Sequence, residues 1–195
     1  EKNPHLPTNA SGWEIDPVGM RTTMRRLWDR YRLPLVITEN GIGAFDELVD
    51  GRVHDDYRID YLRRHLEQIQ WAISDGVDVF GYCPWAAIDL ISTHQGCSKR
   101  YGFIYVDRDE FDLRELARVK KDSFHWYRAV IDSGGAALGV VGIDPEARQA
   151  GDLEREVDLQ PFFVDLALGV AHDVVHHGVD ILVRHRRDID PAHVA

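Results

Sequence analysis

"VDVFGYCPW", residues 77–85, is a nearly unbroken apolar run that ends in proline and tryptophan. A run of that kind reads as a strand buried on both faces, the habit of parallel sheets. A helical pattern precedes it: from about Asp56 to Ser74, the residues Ile59, Leu62, Leu66, Ile69 and Ile73 recur on one stripe, and Gly76 marks the stop. Earlier still, "LPLVITENG", residues 33–41, predicts a short strand from Leu35 to Thr38, between Pro34 and an Asn40-Gly41 turn. "DPVGMRTTMRRLWDRY" predicts a helix before that, with Asp16 as cap, Pro17 in the first position, and Met20, Met24, Leu27, Trp28 and Tyr31 at helical spacing.

Downstream, "YGFIYVD" at 101–107 reads as another strand, and a third helix is predicted from about Leu113 to Ile131. Helix, strand, helix, strand and helix in alternation imply βα units around a parallel sheet, hence an α/β fold. The opening "EKNPHLPTNASGW" is loop, rich in Pro and Asn, and its first residue is Glu1 rather than methionine. The expectation is a chain that starts inside a longer protein.

At "SGG", residues 133–135, the character changes. From Ala136 onward there is no Ser, Thr, Asn, Lys, Tyr, Trp or Cys. Residues 1–135 are therefore read as one unit, and 136–195 as a tail of different origin, helical or disordered. "PFFVDLALGVAHDVVHH" could make an amphipathic helix there, with Phe163, Leu166, Val170 and Val174 on one side.

Composition narrows the function. A net charge of -10 argues against nucleic-acid binding, which needs clustered Lys and Arg. No apolar run approaches the roughly 20 residues that span a bilayer, and no basic start leads into an apolar stretch, so the expectation is a cytoplasmic chain without a membrane partner. Cys83 and Cys97 form no Cys-x-x-Cys pair, and the expectation is two reduced thiols.

Three places carry possible chemistry. Glu39 ends a predicted parallel strand, the end that faces the active site in a βα barrel. On these letters alone an acidic residue in a polar turn is the simpler reading. Trp85 follows the second strand, where an aromatic face can stack on a sugar or pack a core. In "DLISTHQGCSKRY", residues 89–101, Ser92, Lys99 and Tyr101 offer two hydroxyl donors and a point charge to a phosphate dianion. A solvated basic turn is the alternative. Arg100 would point elsewhere if the segment is extended.

Together, "LPLVITENGIGAFDE", "DDYRIDYLRRHLEQIQWAISDGVDVFGYCPWAAIDLIS", "SKRYGFIYVDRDE" and "KKDSFHWYRAVI" resemble the C-terminal portion of family 1 glycoside hydrolases, and within them the bacterial 6-phospho-β-glucosidases. The resemblance covers about residues 12–135. It implies a retaining β-glycosidase on a (β/α)8 TIM barrel, of which this chain would hold about the last two strands with their helices. By the same resemblance Glu39, in Thr-Glu-Asn-Gly, is the nucleophile, and Trp85 lines the sugar site. Such chemistry takes two carboxyl groups about 5–5.5 Å apart and no metal or cofactor.

Ordinary β-glucosidases of the family usually have glutamate where this chain has Ser92. That carboxylate would repel a phosphate dianion, whereas a serine can donate to it. In the phospho-specific members the serine, lysine and tyrosine hold the 6-phosphate, which the resemblance assigns to Ser92, Lys99 and Tyr101. Phospho-galactosidases tend to carry a tryptophan after that serine, so Thr93 favours the gluco substrate.

The family's acid/base lies in an Asn-Glu-Pro motif, and none occurs in this chain. The isolated chain is accordingly expected to be inactive and to need the remaining part of the barrel as partner. The competing readings are a non-catalytic sugar-phosphate-binding remnant and a piece of an ordinary β-glucosidase. "HDVVH" also sets His172 and His176 around Asp173 in a loose echo of a zinc helix, with His177, His185 and His193 as further ligands, and an accident of composition is the preferred reading.

Overall fold

A computed structural model describes residues 3–139. The amphipathic helix and the histidines read from the tail lie outside them.

Helix α1 (Pro17–Tyr31) starts as expected. The Asp16 carboxylate accepts from the Gly19 N–H at 2.8 Å and Pro17 takes the first turn, where no donor is needed. It ends where Arg32 turns left-handed and donates its N–H to the Trp28 carbonyl. Strand β1 (Leu35–Asn40) then pairs in parallel with β2 (Val79–Pro84), Leu35 opposite Val79 and Asn40 opposite Pro84. The connection between them holds α2 (Asp56–Ser74).

The expected stripe of α2 faces inward. Ile59, Leu62, Leu66 and Ile69 join Met24, Val77, Val79, Tyr82, Phe103, Trp126, Tyr127 and Val130 in one core. Burying such side chains stabilises by about 1.5–3 kcal/mol each. In α1 the stripe is narrower than its pattern suggests, because Leu27 and Tyr31 remain exposed.

Two differences from the sequence reading have physical causes. The third helix, α3, spans Asp122–Asp132 rather than starting near Leu113. Residues Arg118–Lys120 form a short strand, β4, paired antiparallel with β3 (Ile104–Val106), Val119 opposite Tyr105. Arg114 and Leu116 have φ of 47° and 53°, outside the right-handed helical region, so the chain turns back here and cannot coil. Strand β2, expected to be covered on both faces, is covered on one only. Val79, Gly81 and Tyr82 are buried, while Phe80 is 53% exposed and its neighbour Val36 is also open.

Ala136–Gly139 continue the folded unit as a 3-10 turn, with Leu138 seated in the core beyond the change of composition at residue 136. No helix among the described residues is long and apolar enough to cross a membrane.

Candidate active site

Parallel pairing puts the ends of β1 and β2 side by side. Glu39 is exposed near the end of β1. The Trp85 N–H donates to the Asn40 carbonyl at 2.8 Å, which draws the tryptophan to the same rim, 40% exposed. Asn40 is held from the other side: the Tyr82 hydroxyl donates to its Oδ1 at 2.7 Å, and its Nδ2 donates to the Tyr61 hydroxyl at 3.1 Å. The backbone beside Glu39 is thus pinned by a neighbour whose side-chain amide is bonded through both its oxygen and its nitrogen. A side chain at Gly41 would sit 1.8 Å from the Trp85 carbonyl oxygen, so only glycine lets this turn close.

The chain after that turn runs along the lysine segment. Ala44 and Arg100 exchange backbone hydrogen bonds of 3.0 and 2.7 Å, and the Ala86 N–H donates to the Tyr101 carbonyl at 3.1 Å. Gly43 packs under the side chains. A Cβ there would lie 2.5 Å from Lys99 Cε and 2.7 Å from a Tyr101 ring carbon. The loop that follows Glu39 therefore forms the floor on which Lys99 and Tyr101 rest.

Ser92, Lys99 and Tyr101 are brought together. The Tyr101 hydroxyl lies 3.1 Å from Ser92 Oγ, and the His94 and Gln95 N–H groups also donate to that oxygen, each at 3.3 Å. With its accepting capacity taken up, the serine has its own proton left to donate. Lys99 is 4% exposed as a residue, and its ammonium, which keeps some solvent contact, has no hydrogen bond or ion pair among the described residues and lies beside the rings of Trp13 and Tyr101. The stem is buried while the ammonium keeps solvent contact, so an anion that arrives there meets a cation that no carboxylate of the described residues already neutralises. Arg100 turns away and donates to the carbonyls of Val106 and Arg108 at 2.8 and 2.6 Å, although the segment bends at Lys99 and is not an extended strand.

Beneath the segment lies a buried network that sequence reasoning missed. Arg58, 2% exposed, pairs with Asp46 at 2.9 Å and Asp55 at 2.8 Å. It also donates to the carbonyls of Ile42 at 2.6 Å and Tyr101 at 3.0 Å. One guanidinium thereby ties the turn after Glu39 to the lysine segment. Tyr57 hydrogen-bonds both Asp46 and Arg58. Lys121 bridges Asp46 at 2.5 Å and Asp89 at 2.8 Å, and Asp89 accepts from the Gly102 N–H. Arg100 approaches Asp89 at 3.8 Å.

Three cations (Arg58, Arg100, Lys121) face three carboxylates (Asp46, Asp55, Asp89), so the charges of the network balance one another, and Lys99 makes no ion pair with any of them. Burial shows in its titration. Desolvation raises the Asp55 carboxyl above its usual value despite Arg58 and Ser123. Burial and then the nearby Arg58 charge hold Lys121 below the ordinary lysine value.

The family model described as "Glycosyl hydrolase family 1" matches residues 1–136. The aryl-phospho-β-D-glucosidase BglC of Bacillus subtilis is 57% identical over 138 residues, which are 71% of this chain and 29% of that protein. The phospho-cellobiase of Klebsiella oxytoca is 54% identical over 70% of this chain and 30% of its own length. Among solved structures, the family 1 β-glucosidase of Thermotoga maritima superposes with a TM-score of 0.63 at 38% identity, over 69% of this chain and 30% of that one. The chain therefore spans about 30% of the length of the curated relatives it matches. A family model that takes in all but three of the described residues, together with a shared fold over the same region, leads to one conclusion: this chain belongs to glycosyl hydrolase family 1.

Proposed function

We propose that the protein to which this chain contributes hydrolyses β-glucosidic bonds in 6-phospho-β-glucosides with retention of configuration. The chain supplies the nucleophile Glu39, the sugar-lining Trp85 and the phosphate-holding Ser92, Lys99 and Tyr101. The observation that carries the reading is Lys99, whose stem is buried and whose ammonium is reachable yet unpaired among the described residues, with Tyr101 beside it and the Ser92 hydroxyl bonded to that of Tyr101. A phosphate dianion satisfies that cation and takes the free Ser92 proton.

In the reaction Glu39 attacks the anomeric carbon, the bond to the leaving oxygen breaks, and a glycosyl ester forms that water then cleaves. The leaving oxygen takes its proton from a second carboxyl group. No Asn-Glu-Pro occurs in this chain, so that acid comes from the rest of the (β/α)8 barrel. The uncovered face of Val36 and Phe80 supports this placement, since side chains from the rest of a closed barrel would pack against it. Unit 1–135 is thus the last portion of the barrel, and the isolated chain turns nothing over. No metal or cofactor takes part.

The test uses a complete enzyme in which residues 3–139 replace the matching segment of a 6-phospho-β-glucosidase relative. Ser92→Glu is expected to lower kcat/KM for a chromogenic 6-phospho-β-glucoside by about 100-fold. It loses a hydrogen bond to a charged group and adds like-charge repulsion, which together exceed about 2–3 kcal/mol. Unchanged turnover of the phosphorylated substrate would remove Ser92 from the phosphate site.

A further inference from the structure

Trp13 belongs to the opening loop, which the sequence offers only as irregular chain. The structure builds it firmly. The Asn9 side chain accepts from the N–H groups of Ser11 at 3.0 Å and Trp13 at 2.9 Å, while the Asn9 N–H donates to the Trp13 carbonyl at 2.8 Å. The Ser11 hydroxyl donates to Gln95 Oε1 at 3.2 Å, which joins this turn to the loop between Ser92 and Tyr101. Trp13 is 64% exposed, so core packing does not account for where it sits. It lies over the Lys99 ammonium, 4.7 Å from Nζ to ring centroid, and Tyr101 lies on another side at 5.2 Å.

We infer that Trp13 is a positioning residue for the phosphate group of the substrate. It and Tyr101 clamp the Lys99 ammonium between aromatic rings, and so keep the cation in the site with no carboxylate to neutralise it. The inference rests on the reading of Ser92, Lys99 and Tyr101 as the phosphate site. An aromatic face attracts a cation through its quadrupole and carries no net charge. A carboxylate in the same place would hold the lysine as well, but it would repel the incoming dianion. The clamp also limits the rotamers of a long side chain before the ligand arrives, which lowers the ordering cost of binding.

The test titrates glucose 6-phosphate, and separately glucose, into the complete enzyme carrying residues 3–139 by calorimetry. Loss of one pre-ordered long side chain corresponds to about two- to tenfold in affinity. Trp13→Leu is therefore expected to weaken glucose 6-phosphate by that factor, and Trp13→Phe to retain the wild-type affinity, with glucose indifferent to both. Lys99→Ala is expected to cost more than either. In the NMR spectrum the Lys99 ε-methylene signal should be shifted upfield by the ring in wild type and Trp13→Phe, and should return to the ordinary lysine position in Trp13→Leu.

If Lys99→Ala binds glucose 6-phosphate as wild type does, or wild type does not bind it, the phosphate-site reading falls and the inference with it. If Lys99→Ala loses binding while Trp13→Leu keeps wild-type affinity, the inference alone is overturned.

Discussion

Arg58→Ala is expected to destabilise the fold by about 3–5 kcal/mol, the range found when one partner of a buried ion pair is removed. The substitution leaves Asp46 and Asp55 without their guanidinium and frees the carbonyls of Ile42 and Tyr101, all beneath the surface. Domains of this size hold only about 5–15 kcal/mol in total, so the variant should unfold at much lower urea. Urea unfolding of the purified chain, followed by far-ultraviolet circular dichroism, measures the loss. Arg63→Ala is the control. Its pairs with Asp60 and Glu67 lie along the outer side of α2, and its loss should be within about 1 kcal/mol. A loss below about 1 kcal/mol for Arg58→Ala would mean that the network does not hold the two loops.

Glu39→Gln is expected to abolish turnover of a chromogenic 6-phospho-β-glucoside by the complete enzyme, by at least about 10⁴-fold in kcat. Removal of an essential nucleophile has cost about 10⁶-fold in a well-studied hydrolase. Glutamine keeps the shape and the exposure of the side chain but cannot form the glycosyl ester. The fold should be untouched, because Glu39 is exposed and no hydrogen bond of the described network passes through its side chain. A variant that keeps more than about 1% of wild-type kcat would place the nucleophile elsewhere. The 195-residue chain by itself should show no turnover above the same Glu39→Gln control, since it carries no Asn-Glu-Pro.

The elements α1, β1, α2 and β2 are legible because their cores repeat at simple periods and their ends carry local signals: Asp16 and Pro17 at a start, Gly76 after a stop. The beginning of α3 is not. Leu113, Glu115, Leu116 and Ala117 favour a helix locally, but pairing of Val119 with Tyr105 decides that segment, and a three-residue strand leaves little pattern. In the candidate site, Glu39, Trp85, Ser92, Lys99 and Tyr101 are picked out by the family resemblance, since strand ends and spacing alone favour a polar turn, a core aromatic and a solvated basic loop. The clustering of Ser92 with Tyr101 and Lys99 is a finding of the structure.

The network below them is illegible for a different reason. Asp46 and Lys121 meet across 75 positions of sequence, and charged residues on helices ordinarily face water. One signal was present. Arg58 lies four residues before Leu62 and His65 three after it, so both fall on the apolar stripe of α2 and both are buried. A charged residue on the core-facing stripe of a helix calls for a buried partner. Trp13 gave no comparable sign, because its place is set by the turn around Asn9 and not by any periodicity.

The most direct measurement is the ratio of kcat/KM for 4-nitrophenyl 6-phospho-β-glucoside to that for 4-nitrophenyl β-glucoside, taken with the complete enzyme carrying residues 3–139. A phosphate held by Lys99, Ser92 and Tyr101 through charge-assisted hydrogen bonds predicts a ratio of about 100 or more. A ratio near or below one would mean that the unpaired ammonium serves some other purpose and that the chain is part of an ordinary β-glucosidase.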